Sequence, residues 1–232
     1  MRTVKRSDSS YLFEPIVTVS GGILGFELVK KSAHQAANKQ HPHDAGSQTF
    51  HLSAEERIKN FFDAVTLACI NADIFTHNNF LLSIRIDYEI ASHIVNNAAM
   101  RNVLQQHNYI RLTLDAFFPE FSAKQDRPVL HALSEHGPLW LDHFGEGNTS
   151  LTLVMNEKFE HIKISQHFFW QHQGTLSFRQ IIEHLQPYSQ GVIIGGIESA
   201  RHLEYLKGSQ IQGMQGILWS AYSQEEFIQS FF

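Results

Sequence analysis

A chain of 232 residues with 43% apolar and 18% charged residues has the make-up of an ordinary globular protein, long enough for one sizeable core. A net charge of −5 argues against a nucleic-acid-binding face as the main function, so direct DNA binding is not expected. The single cysteine, Cys69, excludes an intramolecular disulfide and fits a reducing compartment, and no apolar run reaches the ~18 residues of a membrane span. The basic start Met1–Arg6 is followed by no long apolar segment, so it does not read as a secretory signal. The expectation is a cytoplasmic protein without a membrane segment.

In chain order, residues 1–10 read as an N-terminal tail and residues 11–232 as one domain. Leu12–Val19 and Ile23–Val29 are apolar strand-like runs separated by Ser20-Gly21-Gly22, a hairpin turn, so one of them should run antiparallel to its neighbour. Residues 32–49, rich in Ala, Asn, Gln, His and Gly, read as a loop over the site. Ser53-Ala54-Glu55-Glu56 is a capping box that opens a helix, in which Cys69 is expected to pack as a buried residue. Further strands follow at Phe80–Ile86, Tyr109–Leu114, Leu139–Asp142, His161–Ile164, Gly191–Ile194 and Gly213–Leu218, with amphipathic stretches between them. A second capping box, Ser223-Gln224-Glu225-Glu226, starts a last helix. Short, wholly apolar strands alternating with helices mean a mostly parallel α/β sheet, and seven or eight such units favour a closed (β/α)8-like barrel with one antiparallel strand.

One stretch carries chemistry. In Leu139-Trp140-Leu141-Asp142-His143-Phe144-Gly145-Glu146-Gly147-Asn148-Thr149-Ser150-Leu151 an apolar strand runs into an acid, a Gly-x-Gly turn and a helix start, which is how a loop after a strand sets a carboxylate at a barrel mouth. It resembles the Asp-Asp-Phe-Gly-Thr-Gly-Tyr-Ser-Ser-Leu signature of EAL domains, bacterial phosphodiesterases that hydrolyse cyclic di-GMP. Further segments fall in the family's order. Glu14-Pro15-Ile16-Val17 and Gly25-Phe26-Glu27-Leu28-Val29 resemble Gln-Pro-Ile-Val and Gly-Phe-Glu-Ala-Leu, so Glu27 takes the place of the first metal-binding carboxylate. Arg111–Phe118, Ile162-Lys163-Ile164-Ser165, Ile193–Glu198 and Met214–Ser220 match segments that supply Asp115, Lys163, Glu198 and Gln215.

The same resemblance marks the departures. Arg85 stands where the family has an asparagine ligand, His143 where it has a second aspartate, and Gly195 where it has a glutamate. Lys31 replaces a phosphate-gripping arginine and loses its bidentate fork, Phe118 replaces a loop-positioning glutamate, and Asn148 replaces a tyrosine. A guanidinium has no lone pair for a metal and its charge repels one. Two-metal hydrolysis needs carboxylates that hold two cations roughly 3.5–4 Å apart. The resemblance therefore implies a vestigial site of Glu27, Asp115, Asp142, Lys163 and Gln215, disabled by Arg85, His143 and Gly195, with no catalytic residue, bound metal or cofactor. Its retained charges read as pairs, Arg85 or Lys163 neutralising Asp142 and Glu27.

The 15 histidines include His34, His41, His43 and His51 in one region, but their spacing is irregular and no Cys partners them, so a solvated loop is favoured over a zinc site. Phe117, Phe118, Phe168, Phe169, Trp170, Phe231 and Phe232 read mainly as packing aromatics, some of them available to anchor a partner. Stand-alone degenerate EAL proteins imply a protein partner, the flagellar master regulator FlhDC bound through FlhD, and hence an anti-activator of motility genes. The alternatives are a non-hydrolysing cyclic di-GMP receptor, which the altered pocket residues argue against, and a weakly active phosphodiesterase. Residues 198–207 and 224–232 are the candidate contact helices.

Overall fold

The computed structural model describes residues 11–31, 52–122, 126–147 and 149–232. The tail 1–10, the His-rich segment with His34, His41, His43 and His51, and Asn148 lie outside the described residues. Strand β1 (Tyr11–Val17) and β2 (Ile23–Lys30) form an antiparallel hairpin in which Glu14 faces Glu27 across the ladder. The turn begins at Thr18, whose N–H donates to the Gly22 carbonyl at 2.8 Å, so Thr18 and Val19 belong to the turn and not to the strand. Gly21 sits at φ +87°, a conformation that glycine reaches without a Cβ clash.

From β2 the sheet continues in parallel through β3 (Leu81–Ile86), β4 (Ile110–Leu114), β5 (Leu139–Phe144), β6 (Phe159–Ile164), β7 (Gly191–Ile194) and β8 (Gly213–Met214). The pair Val17 and Met214 joins β8 to β1 and closes an eight-stranded barrel with one antiparallel strand. A ninth strand, β9 (Tyr222–Ser223), adds to β1 opposite Leu12 and Phe13 and carries no alternating pattern long enough to read in advance. The strand expected over Gly213–Leu218 stops at Met214, because the Leu218 N–H turns away to the Ile197 carbonyl.

Helices connect the parallel strands. They are α1 (Ala54–Ile70) and α2 (Ala72–Asn78), α3 (Tyr88–Asn96) and α4 (Ala98–Gln106), α5 (Pro128–His136), α6 (Leu151–Asn156), α7 (Gln166–His172) and α8 (Leu176–Leu185), and α9 (Ala200–Leu206), with α10 (Gln224–Phe231) after β9. Both expected capping boxes form: the Glu56 N–H donates to Ser53 Oγ at 3.2 Å and the Ser53 N–H to Glu56 Oε2 at 2.8 Å, and Ser223 and Glu226 repeat the exchange. No described helix is long and apolar enough to cross a membrane. Cys69 is only partly buried, at the edge of the core.

Two apolar regions hold the fold. Outside the barrel, Phe13 and Phe26 from the hairpin pack on Phe75 and Phe227, with Phe13 and Phe227 stacked at 4.2 Å between centroids. Inside it, Ile16, Trp140 and Ile193 form a separate fully buried layer. Strand side chains alternate between faces, so the residues two positions on from that layer, Glu14, Asp142 and Gly195, share the interior with it.

Candidate functional site

That alternation brings Glu14, Glu27, Arg85, Asp142, Lys163 and Gln215 together in one layer, and all but Arg85 are buried. Parallel strands end at the same side, and Arg85, Asp142 and Lys163 lie near the C-terminal ends of β3, β5 and β6. Loops after those ends build the sites of such barrels.

The layer is stitched by charge. Arg85 Nη2 donates to Asp142 Oδ2 at 2.6 Å and to Glu27 Oε1 at 3.1 Å. Lys163 Nζ donates to Glu27 Oε2 at 2.6 Å and to Gln215 Oε1 at 3.1 Å, and lies 3.2 Å from Asp142 Oδ2. Gln215 Nε2 then donates to Glu27 Oε2 at 2.9 Å and to Glu14 Oε2 at 3.0 Å. Beside this cluster, His143 Nδ1 sits 2.8 Å from Asp115 Oδ2, and the His143 N–H donates to Asp142 Oδ1 at 2.7 Å.

These contacts set the protonation states. Burial alone would raise the pKa of Glu27 and Asp142, but Lys163 and Arg85, with His143 beside Asp142, outweigh it and hold both carboxyls below their usual range. Burial likewise opposes the charge on Lys163 and Arg85, and the same two carboxylates push both cations above their ordinary values. The negative field of Asp142, with the Asp115 hydrogen bond, raises the His143 imidazole. Asp115 is lowered, because the hydrogen bond from His143 overcomes its burial. Glu14 goes the other way, pushed up to about 7 by burial and by the neighbouring Glu27. Its Oε1 is buried without a hydrogen-bond partner.

Glu27, Asp142, Lys163 and Gln215 meet in the cluster, and Arg85 lies among them. Asp115 and His143 form a pair at the cluster's edge, with the Phe117 N–H on Asp115 Oδ1 at 3.0 Å. Gly195 follows β7, and a Cβ there would meet the Ile164 carbonyl at 3.1 Å. Lys31 is exposed beyond the end of β2. Phe118 and Phe169 are buried, whereas Phe117 and Phe232 are exposed at 62% and 93%. Ser165, at the end of β6, caps α7 by accepting the Phe168 N–H at 3.0 Å. Glu14 was not among the site residues expected from sequence, although its position two residues before Ile16 in the hairpin points it inward.

The profile of the EAL domain family matches residues 1–222. The chain belongs to the EAL domain family. Among its relatives, the cyclic di-GMP phosphodiesterase PdeH of Escherichia coli (strain K12) is 25% identical over 224 residues, covering 90% of this chain and 82% of PdeH. The anti-FlhC(2)FlhD(4) factor YdiV of Salmonella arizonae is 19% identical over 215 residues, covering 91% of this chain and 90% of YdiV. In three dimensions the crystal structure of the EAL-like domain protein YdiV superposes with a TM-score of 0.80 at 21% identity, covering 95% of this chain and 94% of that one.

An EAL barrel raises the question of a divalent cation, and the residues present do not fit one. Both oxygens of Glu27 accept hydrogen bonds from Arg85, Lys163 or Gln215. Asp142 Oδ2 is taken by Arg85 and Oδ1 by a backbone N–H, and Asp115 is taken by His143 and Phe117. A carboxylate whose lone pairs serve fixed ammonium and guanidinium groups has little to offer a metal. Among the described residues, no group of three or more His, Cys, Asp and Glu side chains is arranged to hold a metal ion.

Proposed function

We propose that this EAL-family chain is catalytically inactive and acts in the cytoplasm through a protein partner, binding the FlhD subunit of the flagellar regulator FlhDC and blocking its action. The carrying observation is the pair of cations, Arg85 and Lys163, seated on the carboxylates Glu27 and Asp142. Two-metal hydrolysis needs those carboxylates free to hold metal and to ionise a bridging water. Here their charge is already spent within the protein. Glu27, Asp115, Asp142, Lys163 and Gln215 then form a structural remnant, with Arg85, His143 and Gly195 as the disabling positions.

An inactive barrel acts through its surface. Exposed apolar side chains such as Phe117, Ile228 and Phe232 are the kind that anchor partners. The naming of YdiV relatives as anti-FlhC(2)FlhD(4) factors, and the likeness to the YdiV fold, support FlhDC as that partner. The similarity to PdeH supports the competing reading, a weak phosphodiesterase. One pair of measurements separates them: size-exclusion chromatography of the purified chain with FlhDC, and chromatography of the same sample after incubation with cyclic di-GMP and Mn²⁺. A stable complex without linear product is expected. Linear product, or two components that elute apart, would overturn the proposal.

A further inference from the structure

Arg85 reaches Glu27 and Asp142 with one atom. Its Nη2 spans an oxygen on β2 and an oxygen on β5, at 3.1 and 2.6 Å, from a third strand lying between them in chain order. Its Nε is buried and makes no hydrogen bond. An arginine selected to brace two strands would use its planar fork, two parallel N–H groups on one carboxylate. A single positive centre shared by two carboxylates from different strands is instead how a bare cation binds.

We infer that Arg85 is a tethered counter-ion, fixed on Glu27 and Asp142 in place of an exchangeable divalent cation. The barrel mouth is therefore complete without metal. Removing the guanidinium leaves Glu27, Asp142 and Asp115 facing Lys163 and one imidazole, an excess of negative charge in a buried setting that is relieved by a cation from solution or, failing that, by protonation of a carboxylate. Glu27 Oε1 loses its only hydrogen-bond donor of those described above, and that oxygen with Asp142 Oδ2 becomes the point of entry. The inference uses the geometry of the mouth alone. Failure of FlhDC binding would sink the preceding proposal and leave this one standing.

The test compares the full-length wild type with Arg85→Ala and Arg85→Lys. Thermal unfolding is followed with EDTA or with Mn²⁺, and bound Mn²⁺ is counted from the loss of the free-ion electron paramagnetic resonance signal. The wild type and Arg85→Lys should show the same Tm in both buffers and leave the Mn²⁺ signal intact. Arg85→Ala should melt lower in EDTA, bind Mn²⁺, and gain about 3 °C or more when the cation is roughly tenfold above its Kd. Arg85→Gln, closer in volume, replaces Arg85→Ala if the smaller residue does not fold. Uptake of Mn²⁺ by the wild type would overturn the inference, and so would a folded Arg85→Ala or Arg85→Gln protein that takes up none.

Discussion

The barrel carries an arginine–carboxylate site at each end, and the two are built differently. At the end where the parallel strands begin, Arg111 grips Glu160 with its fork, Nε to Oε2 at 2.5 Å and Nη2 to Oε1 at 3.0 Å, while Trp140 Nε1 adds a third donor at 2.7 Å. At the other end Arg85 divides one nitrogen between two carboxylates and leaves Nε unpaired. The first site is a brace: every strong contact is geometrically fitted, and the apolar layer of Ile16, Trp140 and Ile193 lies against it. The second is a neutralised charge cluster, in which position matters less than sign. A buried charge can thus be tolerated in two ways, by a fitted fork on one carboxylate or by one cationic nitrogen shared between two.

Removing a cation from the mouth should give the largest effect. Lys163→Met leaves Glu27 and Asp142 with Arg85 alone and should cost about 3–5 kcal/mol in urea unfolding. A loss below about 1 kcal/mol would mean that Arg85 carries the neutralisation without help. Next comes the pH dependence that only the mouth should show. Glu14 has a native pKa near 7 against 4.5 unfolded, so the native state holds its proton more tightly. Its contribution to stability is complete below the unfolded value and is lost as pH rises through the native one. Between pH 5 and 8 the wild type should lose about 2–3 kcal/mol through this group, and Glu14→Gln should abolish that loss. The lowered carboxyls Glu27, Asp115 and Asp142 change charge at more acidic pH, whereas His143, raised above its ordinary value, also loses charge as pH rises, and its share of the loss should persist in Glu14→Gln. Equal slopes for wild type and Glu14→Gln would refute the assignment.

Substitution of the two arginines by lysine sharpens the contrast further. Arg111→Lys gives up the fork on Glu160 and should destabilise by about 1–3 kcal/mol. Arg85→Lys keeps a single positive centre and should change stability by less than about 1 kcal/mol. If both replacements cost the same, the two sites are the same kind of brace and the distinction collapses.

Much of the architecture was legible because the strands are short, wholly apolar and separated by clear helix starts. The hairpin at Ser20-Gly21-Gly22 and both capping boxes are local chemistry, and local chemistry is readable in one sequence. Strand β9 was not, since two residues hold no period and Tyr222 and Ser223 pair only because the chain has already returned to β1. The extent of β5 was also missed: His143 continues the strand at φ +56°, which no propensity signals. In the site, the meeting of Glu27, Asp142, Lys163 and Gln215 followed from motif order. The Asp115–His143 pair and the inclusion of Glu14 did not, because both depend on register across strands, where Glu14 faces Glu27.

Closure of the ring has a consequence for how the chain is made. The only ladder contact between β1 and β8 joins Val17 to Met214, and β9 reaches β1 from still further along the sequence. A polypeptide leaving the ribosome can form the hairpin early and add parallel strands in turn, but each intermediate is an open sheet with two unprotected edges. Those edges disappear only once β8 has been made, about two hundred residues after β1, and until then the open sheet is exposed to mispairing with other nascent chains.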